Sequence, residues 1–256
     1  MIISNSHKFA FIKGRKVAGT SVEVGLSSLC DADDILTPIS PIDEVLRLKT
    51  TGRIAQNYGA DPKKLERFRK TLLASNSIKD LDWSSIRKPR GRYAGHMSFI
   101  DMERTFGGFS DDWTIIAITR CPYEQALSRI KHMANKEAVR ERSEAAIDVE
   151  SSYFQEAKTK FINKAANKKT RLNISLYKDS ANNLRPNFYL RYENLNSDYK
   201  RLLEKLGQTN APELPHLKKT STTKRTAAQD LFERQELDII NACFEEEFQQ
   251  YNYQAI

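Results

Sequence analysis

Phe9-Ala10-Phe11-Ile12-Lys13-Gly14-Arg15-Lys16-Val17-Ala18-Gly19-Thr20-Ser21 runs from an apolar stretch, through a loop of small residues, into a helical pattern. The apolar run predicts a buried first strand over Phe9 to Lys13. Val22, Val24, Leu26 and Leu29 then supply apolar positions for a helix reaching about Leu29. A strand, a tight loop and a helix start make an anion cradle, because backbone N–H groups and the positive end of the helix dipole converge on one spot. Gly14 and Gly19 have the G-x-x-x-x-G spacing of a nucleotide loop. Where an NTPase carries its lysine stands Thr20, and a lysine comes earlier, at Lys16.

Working outward, a chain of 256 residues can bury one sizeable core, so a single domain over 1–256 is expected. No apolar run approaches the roughly 20 residues needed to span a bilayer. The N-terminal stretch has neither a basic n-region nor an adequate apolar h-region, so no membrane span and no leader are expected. Cys30, Cys121 and Cys243 are widely spaced without a C-x-x-C pair, and read as reduced thiols in a cytoplasmic protein. A net charge of +8 implies an anionic partner; nucleic acid, an acidic glycan or a polyphosphorylated nucleotide would each satisfy it.

Further along, Pro38 and Pro41 break the chain, and Leu46 to Tyr58 and Pro62 to Leu73 read as exposed basic helices. Trp113 to Thr119 (W-T-I-I-A-I-T) reads as a central parallel strand, apolar on both sides. Arg120-Cys121-Pro122 follows, and Pro122 suits the first turn of a helix to about Met133. Glu137 to Asn167 reads as a long charged helix, Phe188 to Arg191 as a strand, and Ser197 to Leu206 as a helix stopped by Gly207. A final amphipathic helix covers about Gln229 to Phe248. Strands alternating with helices predict an α/β fold of the P-loop three-layer type, with a central, mostly parallel sheet flanked by helices. Variable helical insertions are expected at about 31–90 and 136–186.

Four segments, taken in order, resemble the PAPS-dependent sulfotransferases, nearest the branch of the heparan and uronyl 2-O-sulfotransferases. Arg15-Lys16-Val17-Ala18-Gly19-Thr20-Ser21 is similar to that family's P-K-T-A-G-T-S loop for the 5′-phosphosulfate, with Arg15 where the family has proline. Gly95-His96-Met97-Ser98-Phe99-Ile100-Asp101 resembles the G-H-x-S-[FY]-x-D segment of the catalytic histidine. Ile118-Thr119-Arg120-Cys121-Pro122-Tyr123, with Ser128, resembles the 3′-phosphate element. Leu190-Arg191-Tyr192-Glu193-Asn194-Leu195 resembles a late [FR]-Y-E-[ND]-L segment. The likeness runs from about residue 7 to 250, and 31–90 and 136–186 match nothing specific.

The residue chemistry accords with that likeness. A sulfuryl group transfers in line through a loose transition state, with charge building on the leaving oxygen. Lys16 can neutralise that oxygen, and Arg15, Ala18, Gly19, Thr20 and Ser21 offer backbone and side-chain donors to a 5′-phosphate. The leaving group is already a stable phosphate, so no metal is required. Arg120 can grip a 3′-phosphate at two points, with Ser128 adding a hydroxyl; the alternatives are an Arg120–Glu124 pair and an ordinary small helix residue. His96 is the candidate general base, since imidazole titrates near working pH; Glu23 and Asp101 are fallback bases. His216 to Arg225 packs four cations and four hydroxyls into ten residues. Lys219, Lys224 and Arg225 there are candidate nucleotide contacts, with a solvated basic loop as the alternative. Arg47, Lys49, Arg53, Lys63, Lys64, Arg67, Arg69 and Lys70 either wall an anionic acceptor site or form solvated helix faces.

The leading expectation is a sulfotransferase moving a sulfuryl group from PAPS to an acceptor hydroxyl, on a glycan, with PAP as product. A P-loop kinase or NTPase using ATP is the alternative, but Thr20 stands in the lysine position and Trp113–Thr119 ends in Arg120 rather than a carboxylate. A nucleic-acid-binding protein is a third reading; the cations are not interleaved with aromatics and no helix-turn-helix, finger or RNA-binding signature is present.

Overall fold

The computed structural model describes residues 1–74, 86–141, 148–208, 214 and 227–256. Two compact units make up the chain, one of Met1–Ile118 with Ser175–Lys219, the other of Thr119–Ile174 with Thr220–Ile256.

The first unit is built on a five-stranded mixed sheet. Its strands are β1 (Ile2–Ser4), β2 (Phe9–Phe11), β3 (Ile35–Leu36), β4 (Thr114–Thr119) and β5 (Phe188–Arg191), in the order β3-β1-β2-β4-β5. β2 and β4 are parallel, Phe9 facing Thr114 and Phe11 facing Ile116, whereas β1 is antiparallel to both β2 and β3. The sheet is α/β as expected but less parallel than the sequence reading had it. The reason is local. Only Asn5 to Lys8 separate β1 from β2, far too few residues for the crossover that a parallel pair requires. The strand expected to be first is thus the second. Asn187 clips β5 beside β4, its backbone N–H donating to Ile115 O at 3.0 Å and its side-chain oxygen accepting from Ile115 N at 2.9 Å.

Alternation along the strands sends Ile2, Phe9, Phe11, Ile116, Ile118 and Leu190 into one apolar cluster. Val22 and Leu26 of α1 (Gly19–Ser27) join it, as do Tyr199, Leu202 and Leu203 of α7 (Leu195–Lys205). The opposite-facing Ile3, Ala10, Ile12, Ile115 and Ala117 are buried too, so the strands read apolar on both sides. Gly25 lets α1 approach α7 closely: a Cβ there would stand 2.6 Å from Tyr199 Oη and 3.1 Å from Leu214 Cδ2.

The rest of the unit holds α2 (Pro41–Thr51), α3 (Pro62–Leu73) and α4 (Phe99–Phe106). Pro41, read as a breaker, is the first residue of α2, where its missing N–H costs nothing, and Ser40 caps the helix by accepting from Asp43 N. α2 is also no exposed basic helix, because Glu44 and Arg47 on it are wholly buried.

In the second unit, α5 (Pro122–Arg140) starts at the expected proline and runs past Met133. It packs against α6 (Ser152–Ala166), α8 (Arg234–Cys243) and α9 (Glu245–Gln250) through Tyr123, Leu127, Ile130, Phe154, Phe161, Ile240 and Phe244. The single long helices expected over Glu137–Asn167 and Gln229–Phe248 are each divided, the second at Phe244. Buried Glu247 accepts from Asn173 N at 3.0 Å, Ile174 N at 3.2 Å and Gln125 Nε2 at 3.0 Å. Among the described residues no helix is long and apolar enough to cross a membrane.

Candidate functional site

The loop from Gly14 to Ala18 joins β2 to α1 and carries two non-glycine residues in the left-handed region, Lys16 at φ 63° and Ala18 at φ 61°. Each such residue costs about 1–2 kcal/mol, so the loop keeps its shape against local preference. Alternation of this kind turns successive backbone N–H groups inward. Ala18 is the N-cap of α1 and offers no side-chain acceptor to the first turn. By contrast, Ser40, Asp61 and Ser98 cap α2, α3 and α4 of the same unit, and α7 continues from a 3-10 turn. Among these helices α1 thus starts without a side-chain cap. Arg15 is exposed, Lys16, Ala18, Thr20 and Ser21 are half-buried, and Gly19 is buried.

His96 stands at the root of this loop. Its Nδ1 lies 2.9 Å from the carbonyl oxygen of Lys13, the residue before Gly14. A carbonyl only accepts, so the neutral ring carries its proton on Nδ1 and keeps Nε2 as the basic lone pair. Desolvation lowers the His96 pKa to about 4, Lys13 and Arg15 adding to the fall and the Lys13 hydrogen bond opposing it. The residue as a whole is exposed by accessible area, and water on its open side moderates the displacement. The direction leaves the ring neutral at pH 7.

The remaining residues of the G-H-x-S-F-x-D segment have a local explanation. Ser98 Oγ accepts from Asp101 N at 3.2 Å and donates to Asp101 Oδ2 at 2.7 Å, which caps α4. Asp101, a fallback base in the sequence, is thus a helix-cap partner.

Glu23, the other fallback base, is wholly buried and paired. Its oxygens lie 2.6 Å from Lys13 Nζ, 2.7 Å from the Met1 amine and 3.8 Å from Arg47 Nη1. Burial alone would raise its pKa, but Lys13, the Met1 amine and Arg47 outweigh that and hold it down at about 2. It is a fixed anion, not a proton acceptor. Arg47 also grips Glu44 and donates to Thr37 O at 3.1 Å, and Glu44 accepts from Ile39 N at 2.9 Å. Arg47 belongs to neither an acceptor wall nor a solvated face. Sequence reasoning missed Lys13 and Arg47 as parts of this network; the one available signal was a lysine closing an apolar strand directly before the glycine loop.

The exposed cations gather elsewhere in the unit. Lys63, Lys64, Arg67 and Lys70 line the outer side of α3, whose inner side packs Leu65, Phe68 and Leu72 with Ile86. Residues 86–93 run alongside: Tyr93 N donates to Tyr58 O at 3.0 Å, and Arg87, Lys88, Arg90 and Arg92 are exposed. Across 61–74 and 86–92, nine cations face only Asp61 and Glu66, a net +7 beside the whole chain's +8.

Arg120 and Ser128 lie in the second unit. Arg120 follows β4 directly, and its Nη2 is 3.1 Å from Glu124 Oε2, the pairing that was its alternative reading. Ser128 is half-buried on α5. His216, Lys219, Lys224 and Arg225 lie outside the described residues. Among the described residues no group of three or more His, Cys, Asp or Glu is placed to hold a metal ion. No family model, no curated protein and no solved structure matches this chain.

Proposed function

We propose that the chain is a PAPS-dependent sulfotransferase of the P-loop type that transfers a sulfuryl group to an acceptor hydroxyl on a carbohydrate, in the cytoplasm. The observation that carries this reading is the 2.9 Å contact of His96 Nδ1 with Lys13 O, because it puts a neutral ring with a basic Nε2 beside an uncapped helix start. The donor brings a sulfuryl group already activated by a phosphate leaving group. His96 Nε2 takes the hydroxyl proton as the acceptor oxygen bonds to sulfur, and the old S–O bond breaks toward the phosphate. Lys16 offsets the charge left on that phosphate oxygen. Backbone N–H groups at Gly19 and Thr20, with the Thr20 and Ser21 hydroxyls, hold the 5′-phosphate. The assignment of Arg120 and Ser128 to the 3′-phosphate rests on their sequence motif. Among the described residues Cys30, Cys121 and Cys243 are in no disulfide, which accords with a reducing compartment.

Isothermal titration with PAP and ATP tests the donor separately from the acceptor. PAP is expected to bind and ATP to bind poorly, with Lys16→Ala weakening PAP at least tenfold, the loss of about 1.4 kcal/mol that one charge-assisted contact supplies. Equal affinity for the two nucleotides, or Mg-dependent ATP hydrolysis, would overturn the reading.

A further inference from the structure

Lys13 joins two unlike environments. Its side chain enters the interior, where Nζ meets Glu23 Oε2 at 2.6 Å, while its carbonyl oxygen takes His96 Nδ1 at 2.9 Å. The ladder between β2 and β4 ends one residue earlier, with Ile12 N donating to Ile116 O at 2.9 Å. Ile12 thus faces β4, and the next residue turns its carbonyl away from that strand, where among the described residues it meets His96 Nδ1. Glu23 is itself clamped by the Met1 amine and Arg47. The first residue of α1 presses on the same stem, since a Cβ on Gly19 would come within 2.9 Å of Lys13 Cγ.

The geometry points to Glu23 as a positioning residue that, through its buried ion pair with Lys13, sets the Lys13 carbonyl and with it the Nδ1–H tautomer of His96. Its weight for catalysis rests on the reading of His96 as the base; the positioning itself does not. The hydrogen-bond partner of one ring nitrogen fixes a histidine's angle and tautomer, and for metal-bound histidines its loss costs about 10–100-fold, the scale taken for His96. Lys13, Arg15 and the Met1 amine are the charged groups acting on the ring, so the carbonyl is the neighbour that favours a proton on Nδ1.

Long-range 1H–15N correlation spectra of the full chain at neutral pH test this, with His96→Gln identifying its ring among the four histidines. Wild type is expected to show His96 protonated on Nδ1, and Glu23→Gln to show a mixture of tautomers. Turnover of the acceptor falls about tenfold in that variant while the donor KM holds. Glu23→Gln strands buried cations and risks unfolding, so Lys13→Met/Glu23→Gln, which removes both charges at similar volume, is the second arm with the same expected mixing. Should neither fold, Glu23→Asp, shorter by one methylene, carries that expectation. A wild-type ring protonated on Nε2, or an unchanged tautomer in a folded variant, overturns the proposal. Tautomer mixing in a chain that binds no PAP upholds the positioning and removes the sulfotransferase reading instead.

Discussion

Lys16 and Ala18, at φ 63° and 61°, hold the loop in a form that only glycine adopts without penalty. Replacing Ala18 by glycine relieves that penalty, and unfolding free energy is expected to rise by up to about 1 kcal/mol in urea titrations. Gly19 gives the opposite result. Its position carries no room for a methyl group, with Lys13 Cγ at 2.9 Å and Gly14 O at 3.4 Å from the added carbon. Gly19→Ala should therefore cost about 1–3 kcal/mol by the same measurement. His96→Ala separates binding from chemistry: sulfuryl transfer is expected to drop about 10²–10⁴-fold while PAP affinity in titration stays level.

Among the elements, the packing of α1 on α7 is set by one missing side chain. Gly25→Ala places a methyl group 2.6 Å from Tyr199 Oη, and a loss of about 1–3 kcal/mol is expected in denaturant unfolding. Tyr199→Phe in that background should recover part of it, since the Tyr199 hydroxyl has no hydrogen-bond partner among the described residues. Elements with long one-pattern signals were legible beforehand: β4 by its run from Trp113 to Thr119, β5 by Phe188 to Arg191, and α5 by Pro122. β1 and β3 were not: at three and two residues they are too short to show a period, and neither adjoins a loop motif like the one that marked β2, itself three residues long. Arg47 was misread because arginine is normally solvated, and Glu44, three residues away on α2, looks like a surface partner until both are enclosed. The candidate site was readable where a motif is contiguous, as at Gly14–Ser21. Its attachment to His96 was not, since the contact runs through a backbone carbonyl, which no side-chain pattern reports.

For the whole molecule, acid should be destabilising. The unfolded chain protonates a histidine near pH 6.5, whereas folded His96 resists until about 4, so stability falls as pH drops through that window. Glu23, held at about 2 against an ordinary 4.5, adds a contribution that is complete above pH 4.5 and disappears toward pH 2. Glu247, raised by burial, works the other way and softens the decline. Urea midpoints are expected to fall steadily from pH 7 to pH 4; a midpoint that rises would show that Glu247 dominates. The cations of α3 and of residues 86–92 bear on handling as well. Nearly all the excess charge lies in 21 of the 256 residues, so the other 235 are close to electroneutral. Such a protein should bind a sulfonate resin largely through these cations, and neutralising Arg87, Lys88, Arg90 and Arg92 alone should bring its elution sharply forward in the salt gradient.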